Sequence, residues 1–381
     1  MKALILGGCG FIASSIARDL IKSDDVAQVI LADINVDMAK VAESVQRSSK
    51  ITMLNLDVND FPALVKAIRG NDIVLNCVGP YSESSINTVK AAIEAGVTYT
   101  DVCDNCSITK KIFELDEPAR KAGVTVCTGL GVSPGATNML AKYGADKLDT
   151  VDEIGVYFVI ALIDPIGTAG LTQAMGQFIG NVTQYIDGRL ADVPAGSDAE
   201  EVEFMEPFGK TEVYYARHPE PFTLPRYMPG IKRVINKASF SPPSVPRLFT
   251  ELIDLGLFSP EPLPVGNTSV SPRDFIVSFI KHNPGLRAGQ KSMASLAGNV
   301  VVKGREGNSG ITYTYRFSTW GGPITAIPAS IAMQMLYRDK STVKGVVAPE
   351  GVLDAKKFFA ALAKKGIHFL EEKVVEQAME L

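Results

Sequence analysis

The sequence predicts an α/β protein: a doubly wound parallel sheet first, then a second, mixed α/β domain. Three observations carry this. Short apolar runs and helical patterns alternate over the first 130 residues, a glycine-rich turn follows directly on the first of those runs, and the rhythm changes from about Val151.

The apolar runs lie at Ala3–Leu6, Val29–Ala32, Ile51–Leu56, Ile73–Val78, Tyr99–Val102 and Thr125–Thr128. Between them, helical patterns cover Ile12–Ser23, Met38–Arg47, Phe61–Arg69, Ser85–Ala95 and Thr109–Lys121. Continuous apolar runs of this length suit strands covered on both faces. Their alternation with helices implies crossover connections and a parallel sheet.

Later in the chain, Ile154–Ile163 predicts a long strand. Leu171, Ala174, Met175, Phe178, Ile179, Val182 and Ile186 recur at helical spacing, which predicts one helix through Ile186. Twelve of the 22 prolines fall between Met205 and Arg273, mixed with Phe, Tyr and Leu. This composition predicts long packed loops and short helices over a site. Asn299–Lys303 and Gly310–Thr319 predict paired antiparallel strands around a turn at Gly304–Asn308. Ile327–Leu336 and Asp354–Lys365 predict two helices. The expected domains are 1–130, 131–324 and a helical segment at 351–381, with about 325–350 packing back on the first domain.

Composition narrows the function. Hydrophobic residues make up 46% and charged residues 21%, the balance of a globular chain. A net charge of -4 gives no electrostatic footprint for nucleic acid or an anionic membrane. Met1 and Lys2 lead straight into a strand, so no signal peptide is expected, and no stretch is apolar enough to predict a membrane span. The five cysteines, Cys9, Cys77, Cys103, Cys106 and Cys127, are odd in number and gathered in the first third, which predicts reduced thiols in a cytoplasmic protein.

The glycine-rich turn is Gly7-Gly8-Cys9-Gly10-Phe11-Ile12-Ala13, in which Gly8, Gly10 and Ala13 match G-x-G-x-x-G/A. Gly8 permits the tight turn, Gly10 lets backbone approach a diphosphate, and Ala13 lets the helix pack close to the strand. Asp33 ends the second strand 20 residues after Ala13, where a carboxylate accepts hydrogen bonds from the ribose hydroxyls of NAD and repels the extra phosphate of NADP. The motif in this setting predicts a Rossmann domain, with NAD favoured over NADP. Asp57, at the end of the third strand, is a candidate for the adenine end or a loop carboxylate. Val78, Gly79 and Pro80 end the fourth strand, where ligands sit in such sheets.

Two segments then resemble the saccharopine dehydrogenase family: Val78-Gly79-Pro80-Tyr81 with the stretch to Ala95-Gly96-Val97-Thr98-Tyr99-Thr100-Asp101, and Gly129-Leu130-Gly131-Val132-Ser133-Pro134-Gly135-Ala136-Thr137-Asn138. The second is very similar to a loop of lysine 6-dehydrogenases. Thr325–Ala329 and Gly345–Glu350 also resemble the family's closing segment. The resemblance is good over 1–160, fair over 320–370 and poor over 165–300. It implies hydride transfer at a carbon–nitrogen bond of an amino acid, with a polyamine as another substrate class, a dinucleotide-binding first domain, substrate and dimer contacts carried by the second domain over 131–324, and homodimers. Three other functions stay open: reductive condensation of a keto acid or aldehyde with an amine (saccharopine or carboxynorspermidine type), a redox-neutral transferase that retains NAD, and a non-enzymatic NAD sensor.

The candidate catalytic residues are Asp101, Tyr81 and Cys103, which follow strands whose ends face the nicotinamide. The resemblance implies that Asp101 belongs to the active-site loop; a helix cap is the alternative. Cys103 is an acid or base if its pKa falls, or a small buried residue. Here the chain departs from the family, which often carries Gly-Glu where this chain has Cys103-Asp104-Asn105. Ser133, Pro134, Gly135 and Asn138 precede a helix whose free N–H groups would hold a substrate carboxylate or the nicotinamide amide, a Pro-started helix being the alternative. Arg217, Arg226, Arg233 and Arg316 are the cation candidates for that carboxylate, Arg316 foremost, and His218 is a candidate base. No metal is expected, because Cys103-x-x-Cys106 lacks a second ligand pair.

Overall fold

The computed structural model describes residues 1–37, 41–161, 168–241, 251–283, 294–339 and 342–376. In chain order its elements are β1 (Lys2–Leu6), α1 (Phe11–Leu20), β2 (Gln28–Asp33), α2 (Glu43–Gln46), β3 (Ile51–Asn55), α3 (Phe61–Ile68), β4 (Ile73–Asn76), α4 (Glu83–Ala95), β5 (Thr98–Asp101), α5 (Cys106–Phe113), α6 (Asp116–Lys121), β6 (Thr125–Cys127) and α7 (Ala136–Ala145). They continue with β7 (Thr150–Ala161), α8 (Thr168–Gly176), β8 (Asn181–Ile186), β9 (Arg189–Pro194), β10 (Glu200–Glu203), β11 (Lys210–Tyr215), α9 (Glu220–Thr223) and β12 (Arg233–Ser241). The last are β13 (Leu263–Val265), β14 (Thr268–Val270), α10 (Pro272–His282), β15 (Leu296–Glu306), β16 (Ser309–Thr319), α11 (Gly321–Arg338), β17 (Gly345–Val347), α12 (Ala355–Lys364) and β18 (Leu370–Glu376).

The chain divides into two compact units. The first comprises 1–150, 222–229 and 322–368, and the second 151–221, 230–321 and 369–381. The first unit holds a seven-stranded parallel sheet in the order β17-β6-β5-β4-β1-β2-β3. The order reverses between β1 and β4, so the loops after these two strands diverge and open a crevice at their carboxyl ends. Leu4, Leu6, Val74, Tyr99 and Val126 from the strands pack with Val89 and Ile112 from helices in one core. The apolar runs of the sequence are these strands, buried on both faces at β1, β4 and β6 and only partly buried at the edge strand β3.

The second unit holds a mixed sheet in the order β10-β11-β12-β7-β15-β16-β18, with β8 paired to β12 and β9. β7 and β12 run parallel, while β15 and β16 form the expected hairpin, longer than its sequence pattern. Tyr157, Val159, Val213, Tyr215 and Ile235 lie in its core.

Several elements differ from expectation, each for a local reason. The helix expected over Thr109–Lys121 is two, α5 and α6. Pro118 has no N–H to bond at the carbonyl of Glu114, and its ring would clash there. The helix expected through Ile186 ends at Gly176. Gly180 then takes φ +68°, and Val182 and Gln184 are buried in alternation on strand β8. The Pro-rich stretch contains β11 and the nine-residue β12, whose apolar pattern is broken by buried Asn236, Lys237 and Ser239. Lys237 is tolerated there because its ammonium meets Asp198 at 2.9 Å and Glu200 at 2.8 Å. The stretch 351–381, expected to be helical, contains α12 and then β18, an exposed, charged edge strand. α11 starts six residues before Ile327 and runs through Pro328, with Gly322, Ile324 and Ala326 buried. Part of the helix expected over Met38–Arg47 and the end of the strand expected over Ile154–Ile163 lie outside the described residues.

Asp19, on α1, fastens the returning C-terminal helices. Its carboxylate accepts from Ser330 Oγ on α11 at 2.7 Å and meets Lys365 Nζ, just after α12, at 2.7 Å. Asp19→Ala should therefore destabilise the first unit by about 1–3 kcal/mol, since a buried carboxylate with two partners is lost. Urea denaturation followed by circular dichroism measures this, and an unchanged midpoint would contradict it.

Candidate functional site

The turn after β1 is built from backbone. Gly8 N–H donates to Ala32 O and Gly10 N–H to Gly7 O. A Cβ on Gly8 would stand 2.7 Å from Leu31 Cβ, and one on Gly10 would stand 3.1 Å from Gly7 O. Ala13 is fully buried. Helix α1 has Gly10 as its N-cap and no capping side chain, and its first helical bond runs from Ser14 N to Gly10 O. The N–H groups of Phe11, Ile12 and Ala13 thus stand outside the helix ladder at its positive end. Asp33, at the end of β2, accepts from Cys9 N at 3.1 Å and from Asn35 N at 3.1 Å. The acidic residue and the turn, 20 positions apart in the motif, form one structure. Three unsatisfied N–H donors and a carboxylate beside a glycine cradle fit the diphosphate and ribose of a dinucleotide.

A second layer is built around buried Asn76, the last residue of β4. Its Oδ1 accepts from Val78 N at 3.0 Å, and its Nδ2 donates to Thr88 Oγ1 and Tyr99 OH. The Tyr81 hydroxyl donates to Asn76 O at 3.1 Å, and burial pushes its pKa well above the usual tyrosine range. Tyr81 therefore presents a neutral phenol below the exposed Gly79 and Pro80.

Asp101 lies at the end of β5 with no solvent exposure. Its carboxylate accepts from Gly129 N at 2.7 Å, Cys103 N at 3.0 Å and Thr128 Oγ1 at 2.9 and 3.0 Å. Burial raises its pKa, and these donors, with Tyr99, pull it back. The structure uses Asp101 to bind two loops together; both its oxygens already accept hydrogen bonds. Cys103 is buried too, and burial and the charges of Asp101 and Asp104 push its thiol up, so it stays protonated. The helix cap is Asn105, whose Oδ1 accepts from Ser107 N and Ile108 N.

The loop after β6 departs most from expectation. The N–H groups of Ala136 and Thr137, expected to be free for a carboxylate, donate to Gly131 O and Val132 O. Pro134 packs on Gly129, where a Cβ would meet its Cγ at 2.7 Å. Asn138 is fully buried: its Oδ1 accepts from Gly135 N, and its Nδ2 donates to Thr223 Oγ1 at 3.1 Å and Glu350 Oε1 at 3.0 Å. Asn138 holds the loop and offers nothing to a ligand. Of the four residues expected to meet substrate there, Ser133 keeps a half-exposed position, while Pro134, Gly135 and Asn138 are buried.

The cation candidates all have partners. Arg316 pairs with Glu372 across β16 and β18. Arg217 donates to Ile179 O and Asn181 O, Arg226 stacks on Phe113 and Phe222, and Arg233 donates to Tyr215 OH. His218 is buried with its Nδ1 2.6 Å from Glu220 Oε2, the arrangement of a structural pair. Asp57 accepts from Asn59 N and Nδ2 and so shapes its own turn. Among the described residues no three His, Cys, Asp or Glu side chains gather as metal ligands, and no helix is long and apolar enough to cross a membrane.

Asn76, Thr128, Thr223 and Glu350 escaped sequence reasoning. A polar residue closing the run Ile73-Val74-Leu75-Asn76 was the signal for Asn76. Glu350 and Thr223 have no local signal, because their partner Asn138 is 212 and 85 residues away.

A family model described as the saccharopine dehydrogenase NADP binding domain matches residues 3–127, and one described as the saccharopine dehydrogenase C-terminal domain matches 170–367. The second match runs through the stretch where the resemblance is poor. The chain is 31% identical over 153 residues to saccharopine dehydrogenase [NADP(+), L-glutamate-forming] of Saccharomyces cerevisiae, covering 40% of this chain and 31% of that protein. It is 29% identical over 154 residues to the protein of the same description from Schizosaccharomyces pombe, again covering 40% of this chain and 31% of that protein. The matches thus span under a third of these relatives' length. The solved structure of apo saccharopine dehydrogenase (L-Glu forming) from Saccharomyces cerevisiae superposes with a TM-score of 0.67 at 19% identity, over 98% of this chain and 99% of that one, which establishes the fold.

Asp101→Ala should cost about 2–4 kcal/mol, because it strands buried N–H donors of Cys103 and Gly129. Asp101→Asn, which keeps an accepting oxygen, should cost less. The folded pKa of Asp101 is raised, so its contribution to stability is full below the unfolded value near about 4 and declines as pH rises through the folded value. Wild-type stability should therefore fall relative to Asp101→Asn as pH rises from about 4. Urea titrations of the three proteins at pH 4 to 8 test this; equal losses for Ala and Asn, or a gap widening in the opposite direction, would contradict it.

Proposed function

The chain belongs to the saccharopine dehydrogenase family, and on that premise we propose that it is an NAD-dependent oxidoreductase acting on a C–N bond of an amino acid, in the manner of a lysine 6-dehydrogenase. A bound nicotinamide supplies hydride exchange with an amine or imine carbon. The chain supplies the grip and the floor. The N–H groups of Phe11, Ile12 and Ala13 hold the diphosphate, and Asp33 accepts from the ribose hydroxyls. The loop after β4 exposes Gly79 and Pro80, and Tyr81 and Ser133 are the half-buried hydroxyls of the loops after β4 and β6. Asp101 ties the two loops together through Cys103 N and Gly129 N, Cys103 stays a protonated thiol, and the Tyr81 phenol stays neutral.

The observation that carries this reading is the bond from Cys9 N to Asp33 Oδ2, which fixes a carboxylate on the dinucleotide turn. It also supports NAD. The family domain and both yeast relatives are described by NADP, yet a carboxylate in this position opposes a 2′-phosphate by like charge. The absence of a disulfide among the five cysteines suits a reducing, cytoplasmic setting, and a homodimer belongs to the same reading.

A second reading is favoured by the description of the relatives as L-glutamate-forming: reductive condensation of a keto acid or aldehyde with an amine, consuming NADH. Turnover in that direction alone, with none from free lysine, would select it.

The test is a panel of amino acids and polyamines with each nucleotide. Formation of NADH from a diamino acid is expected, with kcat/KM for NAD at least about tenfold above that for NADP. Asp33→Ala should narrow this ratio chiefly by weakening NAD. A preference for NADP in the wild type would overturn the cofactor assignment, and no turnover of any amine in either direction would overturn the activity.

A further inference from the structure

Gly322 is buried in the first turn of α11. A Cβ placed on it would stand 2.7 Å from Phe11 Cε1 and 2.9 Å from Cζ, closer than side-chain carbons approach. The Phe11 ring rests where a side chain at position 322 would be. Phe11 is the first residue of α1, next to Gly10, and 46% exposed, so its free side is solvent at the mouth of the dinucleotide turn. Three residues along α11, Thr325 Cγ2 lies 3.5 Å from the place a Cβ of Gly131 would take. Residues three apart share a helix face, so one turn of α11 backs both the turn after β1 and the loop after β6. The bond from Ser330 to Asp19 ties α11 to α1 further along, which opposes separation of the two helices at Gly322.

We propose that Gly322 is a positioning residue for the cofactor: the side chain it lacks lets the Phe11 ring lie against α11, clear of the N–H groups that face the diphosphate. A methyl group at 322 displaces the ring toward solvent, across the mouth of that cradle. The inference rests on the nucleotide-binding reading.

A double-mutant cycle of Gly322→Ala and Phe11→Leu tests it, with Kd for NADH read from quenching of Trp320, the chain's single tryptophan, and the urea unfolding midpoint measured alongside. Alanine is the better helix former, so Gly322→Ala should leave the unfolding midpoint near that of the wild type. The same change should weaken NADH binding about tenfold or more in the Phe11 background and by no more than about twofold in the F11L background. Unchanged affinity in Gly322→Ala, or a loss that F11L does not relieve, would overturn the proposal. So would an unfolded Gly322→Ala protein rescued by F11L, since plain packing would then explain the contact. A wild-type protein that binds no nucleotide would instead defeat the nucleotide-binding reading.

Discussion

A carboxylate without solvent, Asp101, is the constraint on which the rest of the candidate site depends. Removing a carboxylate from water is costly unless donors replace the water, and here three groups do: Gly129 N, Cys103 N and Thr128 Oγ1. Those donors lie on the two loops that leave β5 and β6. Neither loop can adopt its path without giving up a bond to Asp101, and Asp101 cannot remain buried without both. Asn138 and Glu350 repeat the device at the far end of the second loop. The two loops are thereby tied down by buried side-chain hydrogen bonds rather than by strand pairing.

The same economy of donors separates the two halves of the site. At α1 the terminal N–H groups lack side-chain caps and face the glycine cradle. At α7 those of Ala136 and Thr137 are taken up by the loop's own carbonyls. One helix end leaves its N–H groups uncapped and the other holds itself together. The family assignment and the cradle agree on a nucleotide, while Asp33 supports a choice of nucleotide that differs from the one in the relatives' descriptions.

Much of the first unit was legible because its signals are local. Residues such as Leu4, Val74 and Val126 sit in runs that have no reason to be continuous unless both faces are covered. The pairing of Gly8–Ala13 with Asp33 was legible because the motif includes its own spacing. The second unit was less so. Val182 and Ile186 fit a helical period and also a strand period, and only Gly180 decides between them. β12 was hidden by Asn236, Lys237 and Ser239, whose burial depends on partners such as Asp198 and Glu200 that no local pattern announces. In the site, candidate residues were found by position, but their roles depended on distant partners. Asp101 and Asn138 read as groups facing a ligand, yet each is occupied by groups 27 or more residues away, as with Thr128 and Glu350.

In the proposed function the turn after β1 grips a nucleotide that the loop after β4 borders. Amide hydrogen exchange with and without saturating NAD measures this most directly. Slower exchange at the amides of Gly8 through Ala13 and of Val78, Gly79 and Tyr81, with the already protected amides of Cys103 and Gly129 little changed, is the predicted result. Protection confined to other segments, or none at Phe11, Ile12 and Ala13, would contradict it.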